Sequence, residues 1–446
     1  MNVRTVNASM HAPARSVQVA SVLFSAPLGC GLIISLVGAL LHSSPVRLAG
    51  LGVLLFGRLD LLWRAALTRQ GAQAAGLLAL AALLYLRQPV RFETLAFGVV
   101  PYGDVIVMLI TVGLLRPALQ QDGLREWVGN LLSRMPSRQR GRMLLLVSTL
   151  IAPALSMGTI SVMGAITAGQ VRPERDVAVA VIRGVLIAMI WAPSFMPIAL
   201  LLTSFPDVSW QRMAMYTVPV AVVASVMIAS VTRPQLEVAE SVCSRQLPIA
   251  SLAMLLVNTI QSVSYMFVMK LPALIAVTLA SAVTVALWAR LRAPRWWSLS
   301  TQSAELWKRL LPDMVLFGAS GIASVVIARA AVQEAEAIRA LVPLTAAISP
   351  EVFIIVLLPL TNLLRLHPIV AFTLFAPVLD PGMSSTQAYL AWLAYWCLSL
   401  AISPVSMMNL AACSSFGVSM TTLRSHMHPL SYVLIALSAA WGVGCL

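Results

Sequence analysis

Two hydroxyl residues and a glycine stand in the middle of one apolar stretch. Residues 143–171 read MLLLVSTLIAPALSMGTISVMGAITAGQV, with Ser156 and Thr159 beside two helix-breaking residues, Pro153 and Gly158. Hydroxyls and freed carbonyls suit a hard cation such as Na⁺, and the freed N–H groups at a helix start suit an anion. The pattern predicts that Ser156, Gly158 and Thr159 bind a solute, and that both hydroxyls also bind a coupling ion. The alternative is close helix packing, for which membrane helices use small residues.

A second apolar stretch, 341–380, contains a similar polar cluster, formed by Thr361, Asn362, Arg365 and His367. An arginine at membrane depth is costly and is by default functional, and together with a histidine it could bind a carboxylate. Asn362 is also a candidate ligand of the coupling ion. The alternatives are that Arg365 reaches the interface or pairs with Glu351, and that His367 makes a structural hydrogen bond instead of carrying a proton.

Two further apolar stretches are interrupted by proline. Ala192-Pro193-Ser194 and Ser403-Pro404-Val405-Ser406 each lose the N–H group that proline removes from a helix. Asn409 follows one turn after the second interruption. Functional unwinding predicts that Ser194, Ser406 and Asn409 face a solute cavity, whereas a plain kink would predict no ligand.

Asp104 lies several residues inside another apolar stretch. A buried carboxylate there could carry a coupling proton, and the alternative is an interfacial carboxylate that balances a helix dipole. The sequence contains no GxSxG, HExxH or Walker A motif. It therefore predicts a protein that is not an enzyme and that has no resident metal or cofactor, apart from a possible Na⁺ coupling ion.

The composition defines the elements that position these groups. The 446 residues are 59% hydrophobic and only 10% charged, with a mean hydropathy of +0.88. Soluble domains carry about a quarter charged residues, so this composition excludes a soluble enzyme. Since a span needs about 20 apolar residues, the chain predicts an all-α polytopic membrane protein with about 11 transmembrane helices.

The distribution of charge predicts the orientation. Basic residues flank 143–171 on both sides, and such residues collect in cytoplasmic loops. This segment is therefore predicted to be a re-entrant hairpin from the cytoplasm, and 341–380, with few basic flanks, a hairpin from outside. With a cytoplasmic N-terminus and an external C-terminus in a bacterial inner membrane, 19 of the 30 Lys and Arg residues are cytoplasmic. The net charge of +14 then needs no nucleic-acid partner.

A weak self-similarity relates two parts of the chain. A shift of 209 residues places Asp104 on Asp313, and a shift of 211 places 192–205 on 403–416. The two parts start on opposite sides of the membrane, which predicts two inverted-topology repeats, a recurring design of secondary transporters. The predicted units are three N-terminal helices (1–94), repeat 1 with hairpin 143–171 (95–231), two connecting helices and a basic loop (232–308), and repeat 2 with hairpin 341–380 (309–446).

With these features the chain resembles the ion transporter superfamily, and within it the divalent anion:sodium symporters, which include citrate and dicarboxylate carriers. The stretch VIVMLITVGLLRPALQQDGLREWVGNLLSRM is similar to that family's scaffold and interfacial helices. The resemblance implies a site between hairpin tips and broken helices, carboxylate-like substrates, Na⁺ or H⁺ coupling, a homodimer and elevator-type alternating access. The family's Ser-Asn-Thr tip triplet is incomplete in both hairpins of this chain.

The sequence thus predicts a secondary active transporter that moves a small anionic, organic acid-like solute and is coupled to Na⁺ or H⁺. Its other partners would be membrane lipid and a second copy of the chain. Within the same superfamily the alternatives are a cation/proton antiporter and an oxyanion exporter. Outside it, the alternative is a membrane assembly subunit that does not transport.

Overall fold

The computed structural model describes residues 15–56, 59–120, 124–168, 171–231, 236–238, 249–291, 299–333, 349–362, 366–380, 383–403 and 406–426. Within these ranges the chain forms helices joined by short turns, and two strands of two residues each. The helices are α1 (Arg15–Leu40), α2 (Ser44–Phe56), α3 (Leu59–Ala66), α4 (Arg69–Arg87), α5 (Phe92–Gln120), α6 (Leu124–Ser133), α7 (Ser137–Leu155), α8 (Gly158–Thr167), α9 (Glu174–Met189), α10 (Met196–Ser204), α11 (Trp210–Val231), α12 (Ile249–Phe267), α13 (Ala273–Leu291) and α14 (Leu299–Gln333).

The remaining described elements belong to the C-terminal part of the chain, together with the two strands. They are α15 (Pro350–Val352), a π-helical turn (Phe353–Leu357), α16 (Leu358–Thr361), α17 (Pro368–Leu379), α18 (Ser385–Ile402), α19 (Met407–Phe416), α20 (Met420–His426), β1 (Val171–Arg172) and β2 (Glu237–Val238). The predicted last span, 428–445, lies outside the described residues, as do Arg365 and Pro404.

The architecture is that of an all-α polytopic membrane protein, as the sequence predicted. Within the described residues, three helical segments are long and apolar enough to cross a membrane, namely Phe92–Leu115, Trp210–Ser230 and Leu310–Gln333. Other apolar helices are shorter or interrupted. The outer faces of α11 and α12 expose apolar side chains, as a lipid-facing surface requires: Met215, Val222, Val226, Leu256 and Ile260.

The long helices α5 and α14 cross in antiparallel directions. Gly98, near the start of α5, lies against Gly321 and Val325 near the end of α14, and the Tyr102 ring lies 6.4 Å from that of Phe317. A Cβ atom on Gly98 would lie 2.7 Å from the Gly321 carbonyl oxygen. Glycine at this crossing therefore lets the two backbones approach more closely than side chains would allow.

Helices α7 and α8 form a hairpin whose two ends lie together. Near the start of α7, the Arg140 guanidinium donates a 2.7 Å hydrogen bond to the Leu236 carbonyl. After α8, β1 pairs antiparallel with β2, so that Val171 lies opposite Val238. Both ends of the hairpin thus contact the three-residue segment 236–238. The hairpin therefore begins and ends on the same side of the described fold.

The helix break in this hairpin is not at Pro153. Helix α7 continues past this proline to Leu155, and the chain reverses at Ser156-Met157 before α8 begins at Gly158. The proline removes one backbone hydrogen bond, but α7 packs tightly on α9 in this region. Gly184 of α9 lies so close that a Cβ atom there would be 2.4 Å from the Leu145 carbonyl oxygen.

Corresponding helices in the two parts of the chain begin about the same number of residues apart. Helices α9 and α18 begin at Glu174 and Ser385, and α10 and α19 begin at Met196 and Met407, so that each pair is 211 residues apart. Helices α8 and α17 begin 210 residues apart. The shift that aligned 192–205 with 403–416 in the sequence is therefore the shift that relates the two broken helices in the structure.

The α5–α14 crossing gives a stability prediction. Replacing Gly321 by alanine adds a Cβ atom 2.8 Å from the Gly98 carbonyl oxygen and 3.0 Å from the Val99 Cα atom. Because a backbone must shift, we expect Gly321→Ala to lower the melting temperature of the detergent-purified protein. Gly318→Ala on the same helix is the matched control, since a Cβ atom there meets nothing within 4 Å and alanine favours the helix by about 1 kcal/mol. Equal melting temperatures for the two variants would contradict the close crossing.

Candidate functional site

A cavity of about 160 Å³, here called the tip cavity, lies at the turn of the first hairpin. Its wall is mostly apolar and includes three polar side chains, those of Ser156, Ser161 and His367. The wall consists of Leu109, Val112, Gly113, Leu155, Ser156, Met157, Gly158, Ser161, Met196, Leu310, His367, Leu400 and Ala411. The cavity therefore joins the first hairpin, the second hairpin, both broken helices and the long helices α5 and α14.

Three helices begin at the wall of the tip cavity. Gly158 is the first residue of α8, Met196 is the first residue of α10, and His367 is the N-cap of α17. Each helix N-terminus carries a partial positive charge. Several of its N–H groups are already paired: the Ile369 N–H with His367 Nδ1, and the Thr159 and Ile160 N–H groups with the carbonyls of Ser156 and Met157. The described residues of the wall include no Asp, Glu, Lys or Arg. Helix ends thus set the electrostatic character of the cavity: three N-terminal ends favour an anion, and the C-terminal end of α7 at Leu155 acts in the opposite direction.

Ser156 is the predicted hydroxyl residue that the described wall of this cavity contains, and it lies in the turn between α7 and α8. Its backbone has a φ of 51°, a left-handed conformation that costs a residue with a side chain some free energy. Its N–H donates a 2.6 Å hydrogen bond to the Ala152 carbonyl. Its Oγ atom is buried and has no hydrogen-bond partner among the described residues. This hydroxyl is therefore available to a ligand.

Four other predicted site residues also bury an oxygen atom that has no partner among the described residues. Most buried polar groups in native proteins are hydrogen-bonded, so each exception needs an explanation. Their clustering at the hairpin tips and helix breaks is what a binding region for solute, ion or water would show. The atoms are Thr159 Oγ1, Ser194 Oγ, Asn362 Oδ1 and Asn409 Oδ1.

The amide of Asn362 fixes the end of the second hairpin's first limb. Its Nδ2 atom donates hydrogen bonds to the Pro359 carbonyl at 3.1 Å and to Ser399 Oγ of α18 at 2.8 Å. The hydroxyl of Thr361 donates back to the Leu358 carbonyl at 2.6 Å. Thr361 therefore closes its own helix, whereas Asn362 holds the tip against α18 and keeps its Oδ1 atom free.

Asn409 and Ser406 organise the break between α18 and α19. Ser406 caps α19, because its Oγ atom accepts a hydrogen bond from the Asn409 N–H. The Asn409 Nδ2 atom lies 2.9 Å from the Ser403 carbonyl oxygen, and 3.2 and 3.3 Å from those of Ala401 and Leu400. The carbonyls that the break frees in α18 are thus occupied by this amide, so they do not form an open cation site.

His367 caps the second limb of the second hairpin. Its Nδ1 atom accepts a hydrogen bond from the Ile369 N–H at 3.2 Å, which places the ring proton of the neutral form on Nε2. Its own N–H donates to Gln73 Oε1 of α4 at 3.1 Å, and its ring lies edge-on to Trp396. The structural role that the sequence left open for His367 is present, and the ring also lines the tip cavity.

Asp104 is not part of the tip cavity. Its Oδ2 atom forms an ion pair of 2.9 Å with Arg47 Nη1, and the same guanidinium donates to the carbonyls of Gly38 and Ala39 at the end of α1. A carboxylate so paired joins α5 to the first two helices. The predicted coupling role has no support from this geometry, and Arg365 lies outside the described residues.

The structure thus brings Ser156, Gly158 and His367 to one cavity wall. Thr159, Ser194, Thr361, Asn362, Ser406 and Asn409 are not on that wall, and instead form or flank the tips and breaks around it. The sequence interpretation missed Ser161 and Met196 on the wall. Ser161 is three residues, or about one turn, after Gly158, so the 3.6-residue helical period could have indicated it.

Comparisons with known proteins identify the fold. No family model matches the chain, and no curated protein matches it. Among solved structures, the Alcanivorax borkumensis YdaH transporter has a TM-score of 0.56 at 16% identity, over 84% of this chain and 97% of that one. Neisseria gonorrhoeae MtrF, which is described among a class of antimetabolite efflux pumps, has a TM-score of 0.52 at 15% identity, over 81% and 83%. The chain therefore has the fold of polytopic membrane transporters.

Two substitutions separate binding from structural roles at the site. Ser156→Ala removes a hydroxyl without a described partner, so we expect the melting temperature to stay close to that of the parent protein. Asn409→Ala removes the side-chain donor from the carbonyls of Leu400 and Ala401, while the Ser403 carbonyl keeps the Ser406 N–H. We expect it to lower the free energy of unfolding by about 1–3 kcal/mol. Thermal unfolding of both variants in the same detergent tests this. A large loss in Ser156→Ala would show that its hydroxyl is bonded in the folded protein.

Proposed function

We propose that the protein is a secondary active transporter that moves a small anionic, organic acid-like solute, and that the tip cavity is its solute site. The observation that carries this proposal is the convergence of three helix N-termini and the Ser156 hydroxyl, which has no described partner, on a wall whose described residues include no charged side chain. Helix N-termini bind carboxylates and phosphates through N–H groups and dipole charge. The likeness in fold to two transporters supports the class of function.

The proposed mechanism is alternating access of the elevator type, built on two inverted repeats. Asp104 of α5 and Asp313 of α14 correspond at a shift of 209 residues, and these two helices run antiparallel. Equivalent helices in inverted repeats must run in opposite directions, so this crossing supports the inversion. Short hairpins and broken helices that meet at a cavity are a recurring feature of such transporters.

The coupling ion is proposed to be Na⁺ or H⁺. Thr159 Oγ1 and Asn362 Oδ1 are buried oxygens without described partners, which suits a hard cation. The carbonyls of the α18 break are occupied by the Asn409 amide, so the proposal rests on the hairpin tips and not on that break.

The proposed location is a bacterial inner membrane, with the protein as a homodimer. Arg140 and β1, which lie in the basic flanks of the first hairpin, both contact the described segment 236–238. Their contact supports a common membrane face. A second candidate function is solute export, and its support is the description of MtrF as an efflux pump.

Ligand-dependent stabilisation tests the solute site. The detergent-purified protein is heated with succinate, citrate or sulfate in Na⁺ buffer and in K⁺ buffer. A ligand that binds only the folded state raises the melting temperature with its concentration. We expect at least one carboxylate to do so, and we expect Ser156→Ala to reduce that shift without changing the melting temperature of the free protein.

The control is Ser230→Ala, which removes a serine hydroxyl from the exposed face of α11. The carboxylate should raise the melting temperature of this variant as much as it raises that of the parent protein. A rise in melting temperature that occurs only in the Na⁺ buffer supports Na⁺ coupling. An equal rise in the K⁺ buffer argues against Na⁺ coupling. If no anion stabilises the parent protein in either buffer, the anionic solute proposal is wrong.

A further inference from the structure

A second and larger cavity, of about 320 Å³, lies between α5, α14 and the second limb of the second hairpin, α17. Here it is called the Asp380 cavity, after the acidic residue on its wall. Thr203 and Ser324 supply hydroxyls, and Tyr102 and Phe372 supply aromatic rings. It is separate from the tip cavity, because the two walls have no residue in common. Its size falls within the range of small-molecule sites.

The carboxylate of Asp380 is held in a fixed orientation. Its Oδ1 atom accepts a 2.7 Å hydrogen bond from Trp392 Nε1. The fully buried Trp392 ring packs edge-on against Phe372 with ring centroids 4.9 Å apart, so its own position is fixed. No hydrogen bond to Oδ2 is formed within the described part of the chain. The indole therefore leaves one carboxylate oxygen for a ligand.

The charged side chain on the described wall of the Asp380 cavity is acidic. Asp380 is its acidic residue, and the described residues that line the cavity include no Lys, Arg or His. Asp380 follows the last residue of α17, outside the apolar helix. Burial raises its pKa to about 7, while the Trp392 hydrogen bond acts in the opposite direction. Tyr102 is the other titratable residue of the wall. A cation bound beside the carboxylate would favour its charged form.

We propose that the Asp380 cavity binds the ammonium group of a small organic cation. A carboxylate oxygen and hydroxyls match the N–H donors of an ammonium group, and aromatic faces attract cations. The cavity is much larger than an alkali ion requires, and the remainder of its wall is mainly apolar, from residues such as Ala328 and Val325. An alkyl body fills such a space better than a hydrated metal ion does. This site goes beyond the proposed anion transport and does not depend on it.

Binding of alkylammonium probes tests the proposal. Butylammonium, which has N–H donors, and tetramethylammonium, which has none and tests the charge and aromatic contacts alone, are titrated into the detergent-purified protein at about pH 8, where an Asp380 carboxylate of pKa about 7 is mostly charged. KCl at equal ionic strength is the reference. We expect at least one probe to raise the melting temperature above the KCl value, Asp380→Asn to abolish the rise, and Trp392→Phe to weaken affinity about tenfold, since it loses one charge-assisted hydrogen bond.

Two further variants keep the test decisive. Glu237→Gln removes an exposed carboxylate on β2, away from the cavity, and should bind the probes as the parent protein does. Ala328→Leu fills the cavity from α14 while leaving Asp380 and Trp392 in place, so it should block binding even if Asp380→Asn fails to fold. The proposal is overturned if neither probe stabilises the parent protein, or if Ala328→Leu binds them unchanged. Anion stabilisation and its loss in Ser156→Ala are measured separately, so failure here is distinct from failure of the transport proposal.

Discussion

The structure depends on one constraint, which is that backbone groups freed by a helix break inside an apolar protein must find partners. Leaving them unpaired costs several kcal/mol each in a membrane. Three side chains provide many of these partners. The Asn409 amide contacts three carbonyls at the end of α18 and just after it, His367 caps α17, and Ser406 caps α19. Buried oxygens without described partners remain beside these caps, on Ser156 and Asn362 among others. The proposed solute and ion sites include these side-chain oxygens.

The predictable part of the fold follows from composition and from local interruptions. Long apolar runs, proline and small polar residues predicted the spans and the four breaks, and the helix starts at Met196 and Met407 agree with the 211-residue shift read from the sequence. The exact place of a break was less predictable. Pro153 stays within α7, which packs closely on Gly184 of α9 one to two turns before it and ends two residues after it. A local pattern does not contain that tertiary contact.

Contacts between distant segments could not be predicted from the sequence. The sequence indicated a possible proton carrier at Asp104, but it did not indicate the ion pair with Arg47, which lies 57 residues away. The bond from Gln73 to the His367 N–H spans 294 residues. Asp380 was the last residue of a predicted hairpin, and nothing nearby indicated that Trp392 would hold it. In each case the role of a polar residue is set by a partner that only the fold supplies.

The chemistry of the tip cavity also limits what the likeness to known transporters can mean. At 15–16% identity the fold is shared, but the side chains that select a solute need not be. If the tip cavity is the solute site proposed above, its described wall offers helix N-termini, which respond to charge more than to shape, and few polar side chains. A site of this kind favours anions as a class and discriminates weakly among them. On that proposal, selectivity for one solute requires further contacts, and the buried oxygens of Thr159, Ser194 and Asn362, which have no partner among the described residues, are the candidates to supply them.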